Sequence, residues 1–260
     1  MEDPARDQVW QGGRRRLLGF EVLLVLGVSL GASAIYAAVD LIAKETAGRP
    51  LAKQQAVLNN SLAPGRPWLD LTYQLLRIAV DVVPALLAVY LLARDPGEVR
   101  ATLGLDRSRP WADTGTAVGL AAVIGIPGLG LYFGAHAMGR NATVVPAALP
   151  HQWWTVPVLV LAAAQNGVLE EFVVVGYLLS RLRQMGVPAA GAVAVSAILR
   201  GSYHLYQGYG AFVGNAIMGV VFAGYFLRTR RVGPLAVAHT ILDVVSFVGF
   251  ALLAGRLGLS

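Results

Sequence analysis

The sequence predicts an all-α protein, a polytopic bundle of about seven to eight transmembrane helices with a polar site inside the bundle. Three observations carry this. Charged residues make up only 14% of the 260-residue chain and hydrophobic ones 56%, whereas a soluble domain carries about 25% charge. The mean hydropathy is +0.59, and apolar runs able to cross about 30 Å of hydrocarbon recur seven times. Two Glu, two His, an Asp and an Arg fall together in or beside three of those runs.

The runs are approximately 17–42, 71–93, 114–138, 156–182, 187–203, 211–227 and 235–253. The first follows MEDPARDQVWQGGRRR and superficially resembles a signal peptide. It is longer than a signal core of about 7–15 residues and has no clear cleavage site before its end, so it reads as a retained span. Segment 43–70 is too polar to cross. The spacing of Leu51, Ala56, Val57 and Leu62 fits either an interfacial amphipathic piece or an ordinary loop, with Trp68 as anchor. Pro84, Pro127, Pro157 and Pro188 do not veto membrane helices. Gly115/Gly119 and Gly210/Gly214 have the spacing for close helix packing. With no repeat or low-complexity tract, residues 1–260 read as one membrane domain.

Loop charge gives orientation. With the N-terminus inside, the inner segments hold 13 Lys and Arg against 6 in the outer ones, which places the N-terminus in the cytoplasm. The net charge of +6 does not indicate nucleic-acid binding, because the charges sit in short loops rather than on one face. Arg accounts for 19 of the 21 basic residues, a bias that fits GC-rich codons better than phosphate recognition. With no cysteine, disulfides and Cys-ligated metals are excluded.

A charge at mid-membrane costs roughly 2.5–3.5 kcal/mol even on lenient scales, so such residues face a bundle interior or a wet cavity. Glu170 and Glu171 lie deep in the fourth run. Adjacent helical residues point about 100° apart, so the two carboxylates cannot share one neighbour equally. Arg200 and His204, four apart, share a helix face, as do His239 and Asp243 in the last run. Asp243 is placed to orient the His239 imidazole and fix its tautomer. The economical arrangement of these six is a single intramembrane site, the alternative being separate structural clasps. His136 and His151 fit interfacial positions.

These residues, in this order, resemble the CPBP family of intramembrane proteases, which includes CAAX prenyl endopeptidases and the bacterial bacteriocin-processing and immunity proteins often called Abi. The family pattern is E-E-x-x-x-R, then F-x-x-x-H, then H-x-x-x-N or H-x-x-x-D. Here it reads EEFVVV (Glu170–Val175), RGSYH (Arg200–His204) and HTILD (His239–Asp243), within a core of about residues 156–250. The resemblance implies an intramembrane glutamic endopeptidase acting on peptide bonds of membrane-associated or lipid-anchored proteins. Glu170 would be the general base that polarises a water and His204 would help hold that water. His239 and Asp243 would bind the developing oxyanion or leaving group, and Glu171 would support them. Glu and two His could ligate zinc, but H-E-x-x-H is absent and the resemblance implies a metal-free site with no cofactor. The implied partners are the lipid bilayer and a peptide or protein substrate, in the plasma membrane of a bacterium.

Two positions depart from the pattern: the family Arg of the first motif is Val175, and the family Phe of the second is Arg200. Arg200 is expected to return the lost positive charge to Glu170 or Glu171 from a neighbouring helix. If it instead snorkels to the interface, the alternative is a non-catalytic binding or immunity protein that keeps the protease fold. A transporter is the third class, disfavoured by the short chain and the lack of an inverted repeat.

Overall fold

The computed structural model describes residues 4–106 and 108–257; the outermost residues counted in the terminal loops above lie outside the described residues. Every apolar run becomes helix. The first is a bent pair, α1 (Pro4–Gly27) and α2 (Leu30–Glu45), which meet at 54°. Gly31 is required at this corner, since a Cβ there would fall 2.7 Å from Leu26 O. Segment 43–70 is not an amphipathic helix. It makes a 3₁₀ turn (Leu51–Lys53) and a strand, β1 (Gln55–Val57). Its backbone groups are satisfied instead by parallel pairing with β2 (Thr143–Val145).

Between these strands run α3 (Pro67–Asp81), α4 (Val83–Ala93), α5 (Val99–Leu103) and α6 (Pro110–Ala137). Pro67 and Pro110 open their helices in the first turn, where a missing N–H costs nothing. After β2 come α7 (Thr155–Glu170), a π-helical segment (Glu171–Tyr177) and α8 (Leu178–Gln184), one continuous span of 30 residues. It is the axis of the bundle: 61% of its apolar window is buried inside the protein, against a third or less in the other four long spans. Then follow α9 (Ala189–Ser202), α10 (Tyr209–Thr229) and α11 (Gly233–Leu257). Helices α7 and α11 pack closely, as do α9 and α10.

The bundle is polytopic and helical, as the composition requires. Among the described residues five helices are long and apolar enough to cross, and the bent α1–α2 pair makes six. The remaining run, the fifth of the seven, is α9, whose 14 residues reach about 21 Å at 1.5 Å per residue. It ends inside the bundle. The expected glycine contacts divide: Gly210 and Gly214 meet Ala135 and Leu131 of α6, whereas Gly115 and Gly119 meet nothing within 4 Å among the described residues.

Two ion clusters fasten the end of the bundle opposite the strands. The Arg181 guanidinium, 1% exposed, donates to Glu21 Oε1 at 2.7 Å, to Leu91 O at 2.8 Å and to Asp95, while Tyr177 OH donates to Glu21 at 2.9 Å. This joins α1, the end of α4 and α8. Arg231, between α10 and α11, donates to Asp113 at 2.6 and 3.0 Å and to Asp106 at 2.9 Å. Hydrogen bonds from Arg231 and Ser108 hold the Asp106 carboxyl well below the usual carboxylate range.

Candidate active site

Glu170 and Glu171 fall midway along the α7–α8 span, at the change from α to π geometry. A π turn widens the helix by one residue per hydrogen-bonded ring and recurs at functional sites. Glu171 has no solvent exposure and Glu170 8%.

Arg200 reaches them from α9 and is itself fully buried. Its Nη2 donates to both oxygens of Glu171 at 2.8 Å, and its Nη1 lies 3.4 Å from Glu170 Oε2. The carboxylates thus share this neighbour unequally, and the guanidinium does not snorkel. Its Cζ stands 5.6 Å from the centre of the Phe222 ring, within cation–π range. Arg200 Nε, buried, has no hydrogen-bond partner among the described residues. Val175, where the family pattern has Arg, is buried in the apolar core. The positive charge has moved from α7's own continuation to the helix beside it.

His239, on α11, faces the same carboxylates. Its Nδ1 is 2.7 Å from Glu171 Oε1; an ionised carboxylate only accepts, so Nδ1 carries the proton and donates. Nε2 then points to Glu170 Oε2 and Asp243 Oδ1, each at 3.9 Å, beyond direct hydrogen bonding. This corrects one expectation: Glu171, not Asp243, fixes the imidazole tautomer. Asp243 Oδ2 accepts instead from Asn166 Nδ2 at 3.0 Å.

His204 follows α9. Its Nδ1 is 3.0 Å from Arg200 O, and its ring packs against that of Tyr203, the centroids 4.8 Å apart. The adjacent Tyr203 hydroxyl donates to Glu170 Oε2 at 2.7 Å. Glu170, Glu171, Arg200, His239 and Asp243 therefore converge between α7, α9 and α11, with His204 beside them. Sequence reasoning assigned neither Tyr203 nor Asn166 to the site. The signal for Asn166 was its place one turn before Glu170, on the same helix face.

Oxygen and nitrogen atoms of Glu170, Glu171 and His239 lie within 4.8 Å of one another, a spacing able to hold a cation. Part of that trio is already engaged: Arg200 occupies both oxygens of Glu171, and the proton on His239 Nδ1 takes that nitrogen out of ligation. A metal there would have to displace the guanidinium.

Residues 152–245 match the family model described as Type II CAAX prenyl endopeptidase Rce1-like. The match covers just over a third of the chain and contains every residue of the site. No curated protein and no solved structure matches the chain. The site's three helices, its ordered motifs and the family match coincide on one segment, and over that segment the chain is similar to the CAAX-type membrane proteases of the CPBP family.

Proposed function

We propose that the protein is an intramembrane endopeptidase that hydrolyses peptide bonds of membrane-associated or lipid-anchored proteins by attack of a glutamate-activated water. The observation that carries this reading is the pairing of Glu171 with Arg200 and His239, which leaves Glu170 as the more weakly paired carboxylate, held by Arg200 only at 3.4 Å. A nearby donor, Tyr203, positions Glu170 without neutralising it. Glu170 takes a proton from water as the oxygen adds to the carbonyl carbon, then returns it to the departing amine. His204 helps hold the water. His239 faces the oxyanion, and Asp243, an acceptor when ionised, faces the amine that leaves. Glu171 and Arg200 set the imidazole and offset each other's charge.

The reading is metal-free because a guanidinium stands where a cation would. The protein lies in the plasma membrane of a bacterium with its N-terminus in the cytoplasm, a reading supported by the 13 to 6 distribution of basic loop residues.

The test is cleavage of a quenched fluorogenic farnesylated CAAX peptide by the full chain in lipid vesicles. Glu170→Ala should lower kcat by about 10²–10⁴-fold, the usual contribution of a general base. Equal turnover by wild type and variant rejects the role of Glu170. A wild type without turnover on farnesylated and unmodified peptides alike favours a non-catalytic protein that keeps the fold.

A further inference from the structure

Asn166 and Glu170 are one turn apart on α7, and His239 and Asp243 are one turn apart on α11, so each pair shares a face. Gly167 lets the two helices approach: a Cβ there would fall 2.6 Å from Thr240 Oγ1 and 2.7 Å from Ala236 O. The result is two polar rungs across one interface. In the first, Glu170 stands opposite His239 at 3.9 Å. In the second, Asn166 Nδ2 donates to Asp243 Oδ2 at 3.0 Å. The first rung is buried. The second is more open, with the Asp243 side chain 19% exposed against 6% for His239, so a peptide reaching Glu170 from the accessible side passes it.

Attack on a peptide carbonyl places negative charge on its oxygen, which only hydrogen-bond donors can stabilise. An ionised Asp243 accepts and does not donate, whereas a primary amide carries two N–H donors. The bond to Asp243 uses one of them and is the only hydrogen bond of the Asn166 side chain among the described residues.

We propose that Asn166 is a further catalytic residue: with one N–H held by Asp243 Oδ2, its carboxamide directs the other at the carbonyl oxygen of the scissile bond. The assignment rests on the endopeptidase reading above. As water loses its proton to Glu170 and adds to the carbonyl carbon, the C=O electron pair moves onto oxygen and is received by the Asn166 N–H. When the adduct collapses, the C–N bond breaks and the amine leaves with the proton returned by Glu170. Asp243 then acts by aiming the amide.

The experiment uses the full chain in vesicles with the farnesylated CAAX peptide, comparing wild type, Glu170→Ala, Asn166→Ala, Asn166→Leu and Asn166→Gln. Asn166→Ala and Asn166→Leu should both lose about 10²–10³-fold in kcat, the worth of one oxyanion donor. Their KM should stay within about threefold of wild type, and Asn166→Gln, which keeps an N–H, should recover part of the rate. A packing role would instead put Asn166→Leu, which fills the space, well above Asn166→Ala. Adding Asp243→Ala to Asn166→Ala should cost little more than the worse single change, because the two act as a unit. If wild type outpaces Glu170→Ala but Asn166→Leu keeps the wild-type kcat, the Asn166 assignment falls and the endopeptidase reading stands. If wild type is no faster than Glu170→Ala, both fall together. Should Asn166→Ala fail to fold, judged by its unfolding temperature in detergent, Asn166→Leu and Asn166→Gln carry the comparison.

Discussion

A guanidinium without solvent contact sits against two carboxylates of the neighbouring helix, and its removal leaves those charges buried and unanswered. Breaking such a pair from one side costs about 3–5 kcal/mol. Arg200→Met should therefore lower the unfolding temperature in detergent sharply, and Glu171→Gln placed on top should restore part of the loss. An Arg200→Met protein as stable as wild type would show that the ion pair contributes nothing. The charge itself was legible: Arg200 stands where the family has Phe, four residues before His204, and Val175 leaves a vacancy for it. What the sequence could not say is how the charge is shared. The 2.8 and 3.4 Å distances to Glu171 and Glu170 depend on the azimuth of three helices, and no spacing rule fixes that. Glu21 is a different case. It is a lone carboxylate in the first apolar run, as anomalous as Glu170, and the same reasoning applied there finds the partner of Arg181.

At the scale of elements, the meeting of α7 with α11 decides the width of the site. Gly167→Ala would drive a methyl into the backbone oxygen of Ala236, which cannot rotate away. It should destabilise by about 1–3 kcal/mol, as overpacking does, and lower kcat by moving Glu170 and Asn166 from His239 and Asp243. Adding Thr240→Ala should recover only part, because the clash with Ala236 O persists. Thermal unfolding and peptide turnover measured side by side check this. The helices and their approximate limits were legible from hydropathy alone. The π-helical stretch at Glu171–Tyr177 was not, since EFVVVGY carries no local mark of it. The parallel pairing of β1 with β2 was equally hidden, because it joins segments about 90 residues apart.

At the scale of the molecule, the fold predicts a sidedness that can be read chemically. The strands and the open end of α7 lie on one side of the bundle, and the Arg181 and Arg231 clusters lie on the other. A chain with no cysteine suits single-cysteine labelling. In intact cells an impermeant maleimide should label Thr46→Cys directly and Ser108→Cys only after permeabilisation; both positions are exposed. The reverse pattern would place the N-terminus outside. Exposed Trp68 and Trp153 begin the helices that leave the strand side, and Trp111 begins the one that leaves the other, as expected of residues that mark the two membrane surfaces.

The short α9 carries a consequence for how the protein is made. Its 14 residues do not reach across the hydrocarbon, and one of them is an arginine that the bilayer rejects at a cost of roughly 2.5–3.5 kcal/mol. Left to itself during synthesis, α9 has no stable place in the lipid. It must wait for a companion that both extends it and receives its charge. The preceding span, already emerged from the ribosome, offers Glu170 and Glu171, and the following helix offers Phe222 beneath the guanidinium. Insertion of α9 is thus coupled to assembly of the site, and a chain that fails to bring these partners together is left with an exposed, unpaired segment for membrane quality control to find.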